Sequence, residues 1–192
     1  DFIMPRKSLY NLDDILCEAE DIFIEHSYNG AVMDEIIART EFNRRGFYLE
    51  FGSKLKFLYA ALEYYDTHKL SPILAHLEDH QGLASIERFF ATYIEHIYGR
   101  GCLLINMVTE LGSEDDHIRS LGRHYLDKLQ LAFIGCLEQA QRQQTVHTHI
   151  NVEAVALQLT SFVQGFAINS ILAESEEELH IATRALLQPI SQ

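Results

Sequence analysis

Residues 33–54, MDEIIARTEFNRRGFYLEFGSK, constrain the fold more tightly than any other stretch of the chain. Met33, Ile36 and Ile37 fall on one face of a short helix, and Ala38 leaves room for another helix to cross. A break follows at Glu41-Phe42-Asn43, where the Asn43 side chain can accept from the first free amides of a new helix. That helix, residues 44–50, is one to two turns long and opens with two adjacent guanidinium groups. Two helices joined by a three-residue turn, the second short and led by arginine, make a helix-turn-helix. Gly52-Ser53 should stop it and cap a further helix starting at Lys54. The stretch is expected to be a DNA-binding head.

The rest of the chain supplies helices and little else. β-branched alternation is nearly absent and only Pro5, Pro72 and Pro189 interrupt the pattern, so the fold is expected to be all-α. Ahead of the head, Met4 reads as the natural start, and residues 4–8 form a short basic arm with Arg6 and Lys7. Asn11 caps a helix whose Leu12, Ile15, Leu16, Ala19, Ile22 and Phe23 recur at steps of three and four. Tyr28 is expected to plug the core beneath the head.

Beyond Lys54, Leu55, Leu58, Tyr59, Leu62 and Tyr65 continue one helical face that should kink or end at Pro72. Ile86, Phe89, Phe90, Tyr93, Ile94 and Ile97 form the next stripe, closed by Gly99-Arg100-Gly101. Residues 102–112 are almost wholly apolar, which predicts a central buried helix carrying Asn106, Thr109 and Glu110. Ser113 is expected to cap a long helix with Ile118, Leu121, Tyr125, Leu129, Phe133, Cys136, Leu137 and Ala140 on its apolar face. A polar connection at 141–149 precedes a helix capped by Asn151 that is apolar on more than one face, which calls for a second protomer as cover. Ser175-Glu-Glu-Glu178 reads as a capping box for a last amphipathic helix.

The net charge of −13 weighs against a polyanionic partner, since affinity for DNA comes from Lys and Arg. Residues 1–54 carry six basic groups against eleven acidic ones. The basic ones sit on the arm, at the recognition helix and at Lys54, however, and within a Debye length of about 8 Å local charge dominates. Three scattered cysteines, Cys17, Cys102 and Cys136, with no CxxC, fit a reducing cytoplasm better than disulfides or zinc. No apolar run approaches a membrane span and no leader segment is visible. His76 and His80 stand at i and i+4, more simply a solvated pair than metal ligands, and no metal or cofactor is expected. No GxSxG, HExxH or phosphate-binding loop supports an enzyme.

The capped first helix, Tyr28-Asn-Gly, Met33-Asp-Glu-Ile-Ile-Ala, Asn-Arg-Arg and Phe47-Tyr48-x-x-Phe51-Gly52-Ser53-Lys54-x-x-x-Leu58 together resemble the head of the TetR family of transcriptional regulators. Gly-Arg-Gly-Cys-Leu-Leu-Ile-Asn at 99–106, followed by Glu110, resembles one subgroup in which some members sense electrophiles or oxidants through a cysteine here, although Cys102 also reads as a small buried residue. The resemblance implies a cytoplasmic homodimer joined through its last two helices. Its head, 1–53, would bind operator DNA and its body, 54–192, a small-molecule effector. Arg44, Arg45, Tyr48 and Lys54 match DNA-contacting positions, with Arg6 and Lys7 on the arm, and Phe47 and Phe51 match core positions. Implied effector-binding residues are Tyr93, His96, Ile97, Cys102, Asn106, Met107, Glu110, Tyr125, Phe162 and Phe166. Where the family has a glycine and a capping hydroxyl, this chain has Glu41 and Val32, and Glu50 adds an acid to the DNA face. These departures predict weak or unusual DNA binding, and keep open the alternative of a head that docks a protein.

Overall fold

The computed structural model describes residues 10–79 and 81–192, so the expectations for Arg6, Lys7 and His80 lie outside the described residues. The helices are α1 (Leu12–Gly30), α2 (Met33–Thr40), α3 (Arg44–Glu50), α4 (Lys54–Tyr65), α5 (Ser71–Glu78), α6 (Leu83–Ile97), α7 (Leu103–Leu111), α8 (Asp116–Arg142), α9 (Val152–Leu172) and α10 (Glu176–Leu187). The chain forms two compact units that divide between Tyr65 and Asp66.

In the first unit α4 packs along α1. Asn11 caps α1 by accepting from the Asp13 amide, and Asp13 and Asp14 in the first turn suit the positive end of the helix dipole. Phe23, Phe47, Phe51 and Phe57 pack ring on ring at centroid separations from 4.7 to 5.8 Å. Phe23, Phe47 and Phe57 are fully buried. Such pairs add about 0.5–1.5 kcal/mol each beyond their burial, which is how so small a unit holds together. Two expectations need correction here. Ala38 is exposed, so no helix crosses it. Tyr28 is half-buried rather than a core plug: its ring stacks at 6.3 Å on Phe23, beyond the break that Ser27 makes in α1 with φ of 60°.

The α-helix from Lys54 ends at Tyr65, seven residues before Pro72, and a π-helical turn fills Asp66–Leu70. Pro72 sits in the first turn of α5, where no amide is needed.

In the second unit α8 and α9 share the largest interface, with α6 and α7 packed against both. All six residues of the α6 stripe are fully buried. Gly122 lets α7 and α8 approach: a Cβ there would lie 2.5 Å from Cγ2 of Val108. The cap of α8 is Asp115, accepting from the Ile118 amide at 2.9 Å, and not Ser113. The capping box also differs. Ser175 makes no side-chain cap bond, and Glu178 instead accepts from the Glu174 amide. The 141–149 connection is less polar than expected, because Val146 is fully buried and bridges Ser191 in an antiparallel pair.

Among the described residues α9 is long and apolar enough to span a membrane by length and composition, contrary to the expectation that no run is. Its contacts with α6, α7, α8 and α10, and its polar Glu153, Gln158, Gln164 and Asn169, fit a core helix instead.

Candidate nucleic-acid interface and effector site

The short helix α3 is built as the sequence predicts. Asn43 Oδ1 accepts from the Gly46 amide at 2.7 Å, and Phe47 anchors the helix from below. Its outer face carries Arg44, Arg45, Tyr48 and Leu49, all exposed. The Tyr48 ring stands edge-on to Phe47, which fixes where its hydroxyl points. Arg44 is ion-paired to Asp34 on α2, whereas Arg45 makes no salt bridge among the described residues. Lys54 Nζ lies 4.4 Å above the Tyr28 ring, a cation–π contact that holds the ammonium at the start of α4. Ser53 Oγ accepts from the Lys56 amide, closing that helix end.

The departures at 32, 41 and 50 have distinct physical consequences. Val32 offers α2 no side-chain cap and is 56% exposed. Glu41 is left-handed, with φ of 57° and ψ of 15°, a conformation that costs a residue with a Cβ about 1–2 kcal/mol. Glu50 does not stand as a bare acid: the Tyr10 hydroxyl donates to it at 2.6 Å while the Tyr10 ring packs 4.4 Å from Phe42. The orientation of α2 is held by Arg39, which donates to Glu18 at 2.5 Å and Glu25 at 2.6 Å, and by His26 beside Glu35 at 2.9 Å.

Two residues of this face escape the motif. Asp34 reads in sequence as a first-turn acid, and only the fold brings it to Arg44, ten positions on. Leu49 is 78% exposed, at the position an amphipathic pattern would leave polar.

In the body, Tyr93, Ile97, Cys102, Met107, Tyr125 and Phe166 are buried, while His96, Asn106, Glu110 and Phe162 are half-buried. The Tyr93 hydroxyl donates to the Val163 carbonyl at 3.3 Å, and Phe162 meets Phe166 edge-on at 5.8 Å. The Tyr125 hydroxyl is buried with no hydrogen-bond partner among the described residues; burial, then the Cys102 thiol and the Asp66 carboxyl, push its pKa up. Burial first, then Arg100 and Lys69, hold the His96 imidazole down to about 4, so it is neutral at pH 7. Burial likewise raises the Cys136 thiol to about 11, leaving it inert. An open groove of about 280 Å³ between α9 and α10 takes in Phe166 together with Asn169, Leu172, Glu178 and Leu179. Among the described residues no three His, Cys, Asp or Glu side chains cluster to hold a metal.

An exposed, arginine-bearing short helix on an aromatic-cored unit of four helices, ahead of a separate helical body, defines a helix-turn-helix regulator. Residues 15–61 match the family described as bacterial regulatory proteins, tetR family, and residues 82–186 match the tetracyclin repressor-like C-terminal domain. The chain belongs to the TetR family and is a DNA-binding transcriptional regulator. It is 25% identical over 160 residues to the HTH-type transcriptional repressor DhaR of Mycobacterium sp. (strain GP1), covering 82% of this chain and 81% of that one. Among solved structures, the regulatory protein TetR from Rhodobacter sphaeroides is 24% identical, with a TM-score of 0.81 over 95% of this chain and 100% of that one. A cysteine mutant of the TetR-family regulator CifR, complexed with 26 bp double-strand operator DNA, superposes with a TM-score of 0.82 at 16% identity, over 97% of this chain and all of that one.

Proposed function

We propose that the protein is a dimeric, effector-responsive repressor whose α3 enters the major groove of operator DNA. The observation that carries this reading is the capped α3, with Arg44, Arg45 and Tyr48 exposed on a helix anchored by Phe47. Arg44 and Arg45 are assigned to base edges or phosphates, Tyr48 and Lys54 to phosphates, and Arg6 and Lys7 to the flanking backbone. The dimer is assigned to α9 and α10, where Leu157, Ile168, Ile171, Leu172 and Ile181 are all more than half exposed. A small, partly apolar effector is assigned to the body residues around Tyr93, His96, Cys102 and Tyr125. It acts by binding better to the dimer state that does not fit DNA, which shifts the equilibrium by that differential affinity alone.

The test is a mobility shift on duplexes flanking the protein's own gene, with wild type beside the Arg44→Ala/Arg45→Ala double variant. A specific shift lost in the double variant is the expected result. No shift at low salt, with the fold intact by circular dichroism, overturns it in favour of a protein-docking head.

A further inference from the structure

Asp34 and Arg44 form a charge pair on the face that carries the exposed groups of α3, and both are open to solvent, with side chains 88% and 53% exposed. An exposed pair of this kind adds little to stability, so the fold alone gives no strong reason for it. Its effect on DNA is larger. A guanidinium has five N–H donors in a rigid fork, and only Nη2 is engaged by Asp34 Oδ1, so the rest of the fork stays available. The neighbouring charges are otherwise committed: Glu35 faces His26 and Arg39, and Arg39 is shared with Glu18 and Glu25. Among the described residues Asp34 makes no ion pair other than that with Arg44. On this face Arg45 keeps its full charge, while Arg44 and Asp34 together carry none.

Building on the DNA-binding reading above, we propose that Asp34 is a positioning residue for operator recognition. Its carboxylate holds the Arg44 fork in place for the O6 and N7 acceptors of a guanine. It also cancels the charge that would otherwise let Arg44 settle on any phosphate. A free arginine gains affinity from every duplex alike, since its charge is neutralised by backbone and its flexible stem finds the nearest phosphate. A buttressed arginine whose charge is offset gains only where a guanine edge meets the fork, and a nearby carboxylate repels backbone elsewhere. The pair thus trades general affinity for discrimination, which suits a chain of net charge −13 that cannot rely on bulk attraction.

The experiment selects a tight-binding duplex from a randomised pool with the full-length wild-type protein. It then measures binding of wild type, Asp34→Asn, Asp34→Glu, Arg44→Lys and Arg45→Ala to that duplex and to poly(dA-dT), which offers no O6 and N7 acceptor pair, across a salt series. Asp34→Asn is expected to bind poly(dA-dT) roughly two- to fivefold more tightly. Its salt slope should steepen by about 0.9, the signature of one extra phosphate contact. Its preference for the selected duplex should fall, and Asp34→Glu should restore that preference. Arg44→Lys, which keeps the charge and loses the fork, should lose roughly five- to 150-fold in discrimination with its poly(dA-dT) affinity retained. Asp34 also lies in the first turn of α2, where a purely structural role would weaken binding to both DNAs alike and lower the melting temperature. That result overturns the inference, as does an Asp34→Asn protein matching wild type on both DNAs. Wild type binding no duplex in the pool overturns the DNA-binding reading itself, and this inference with it.

Discussion

The two units place their chemistry on opposite sides of their surfaces. The first is largely aromatic within, with Glu20 and Thr40 as buried exceptions, and carries most of its polar groups outward, several tied to a neighbour: Arg44 to Asp34, Lys54 to Tyr28, Glu50 to Tyr10. The second holds polar groups inward: Tyr125 with no hydrogen-bond partner among the described residues, half-buried His96 kept neutral, Cys102 fully buried. An outward arrangement suits a large rigid partner such as DNA, since the protein need only present groups already in place. An inward arrangement suits a small molecule that completes a core, because a buried donor costs free energy until something accepts from it.

The contrast can be broken at several points. The largest effect is expected from Phe47→Ala, which empties the centre of the aromatic cluster and should cost about 3–5 kcal/mol, read by urea denaturation. Circular dichroism should then show the 66–192 unit retaining its helices; loss of all helicity at once would mean the units do not differ in stability. Next in size, Gly122→Leu would drive a side chain into Val108 and should cost about 1–3 kcal/mol in the body's transition while leaving DNA affinity in place. Glu41→Gly should stabilise the first unit by about 1 kcal/mol, as the left-handed turn loses its Cβ. An unchanged midpoint would mean the turn relaxes around the glutamate.

The smallest effect concerns pH. His96 has a folded pKa of about 4, below the ordinary 6.5, so the unfolded chain binds more protons between those values. Its contribution to stability is complete above pH 6.5 and is lost as pH falls toward 4. A His96→Gln protein should show a shallower decline over that window in thermal melts, and an identical decline would show that His96 does not titrate as a buried group.

Elements with a short-range cause were legible from the sequence. Asn11, Asn43 and Asn151 all cap where their spacing indicated, and the α6 stripe is buried residue for residue. Features depending on distant partners were not. A choice between two nearby local candidates was also missed: Asp115 takes the cap from Ser113 because its carboxylate reaches the Ile118 amide. Val146 is buried by a bridge to Ser191 that no local pattern encodes. At the candidate DNA face the arginines were legible, but the Asp34 partner was hidden behind an ordinary first-turn acid. In the body, burial of Tyr93, Ile97, Met107 and Phe166 followed from their apolar neighbours, whereas the surroundings of the Tyr125 hydroxyl depend on Cys102 and Asp66, distant in sequence.

The Val146–Ser191 bridge has a mechanical consequence. The Gln192 amide donates to Thr145 and the His147 amide to Ile190, so the chain entering α9 is laced to the chain leaving α10. At the other end the two helices are joined by the short turn through Ala173, Glu174 and Ser175. The hairpin is therefore a closed frame, fastened at both ends, and cannot splay one helix from the other without breaking backbone hydrogen bonds. A surface mounted on such a frame is ordered before anything touches it, so whatever docks there meets a plate rather than two loose rods and loses less freedom in binding.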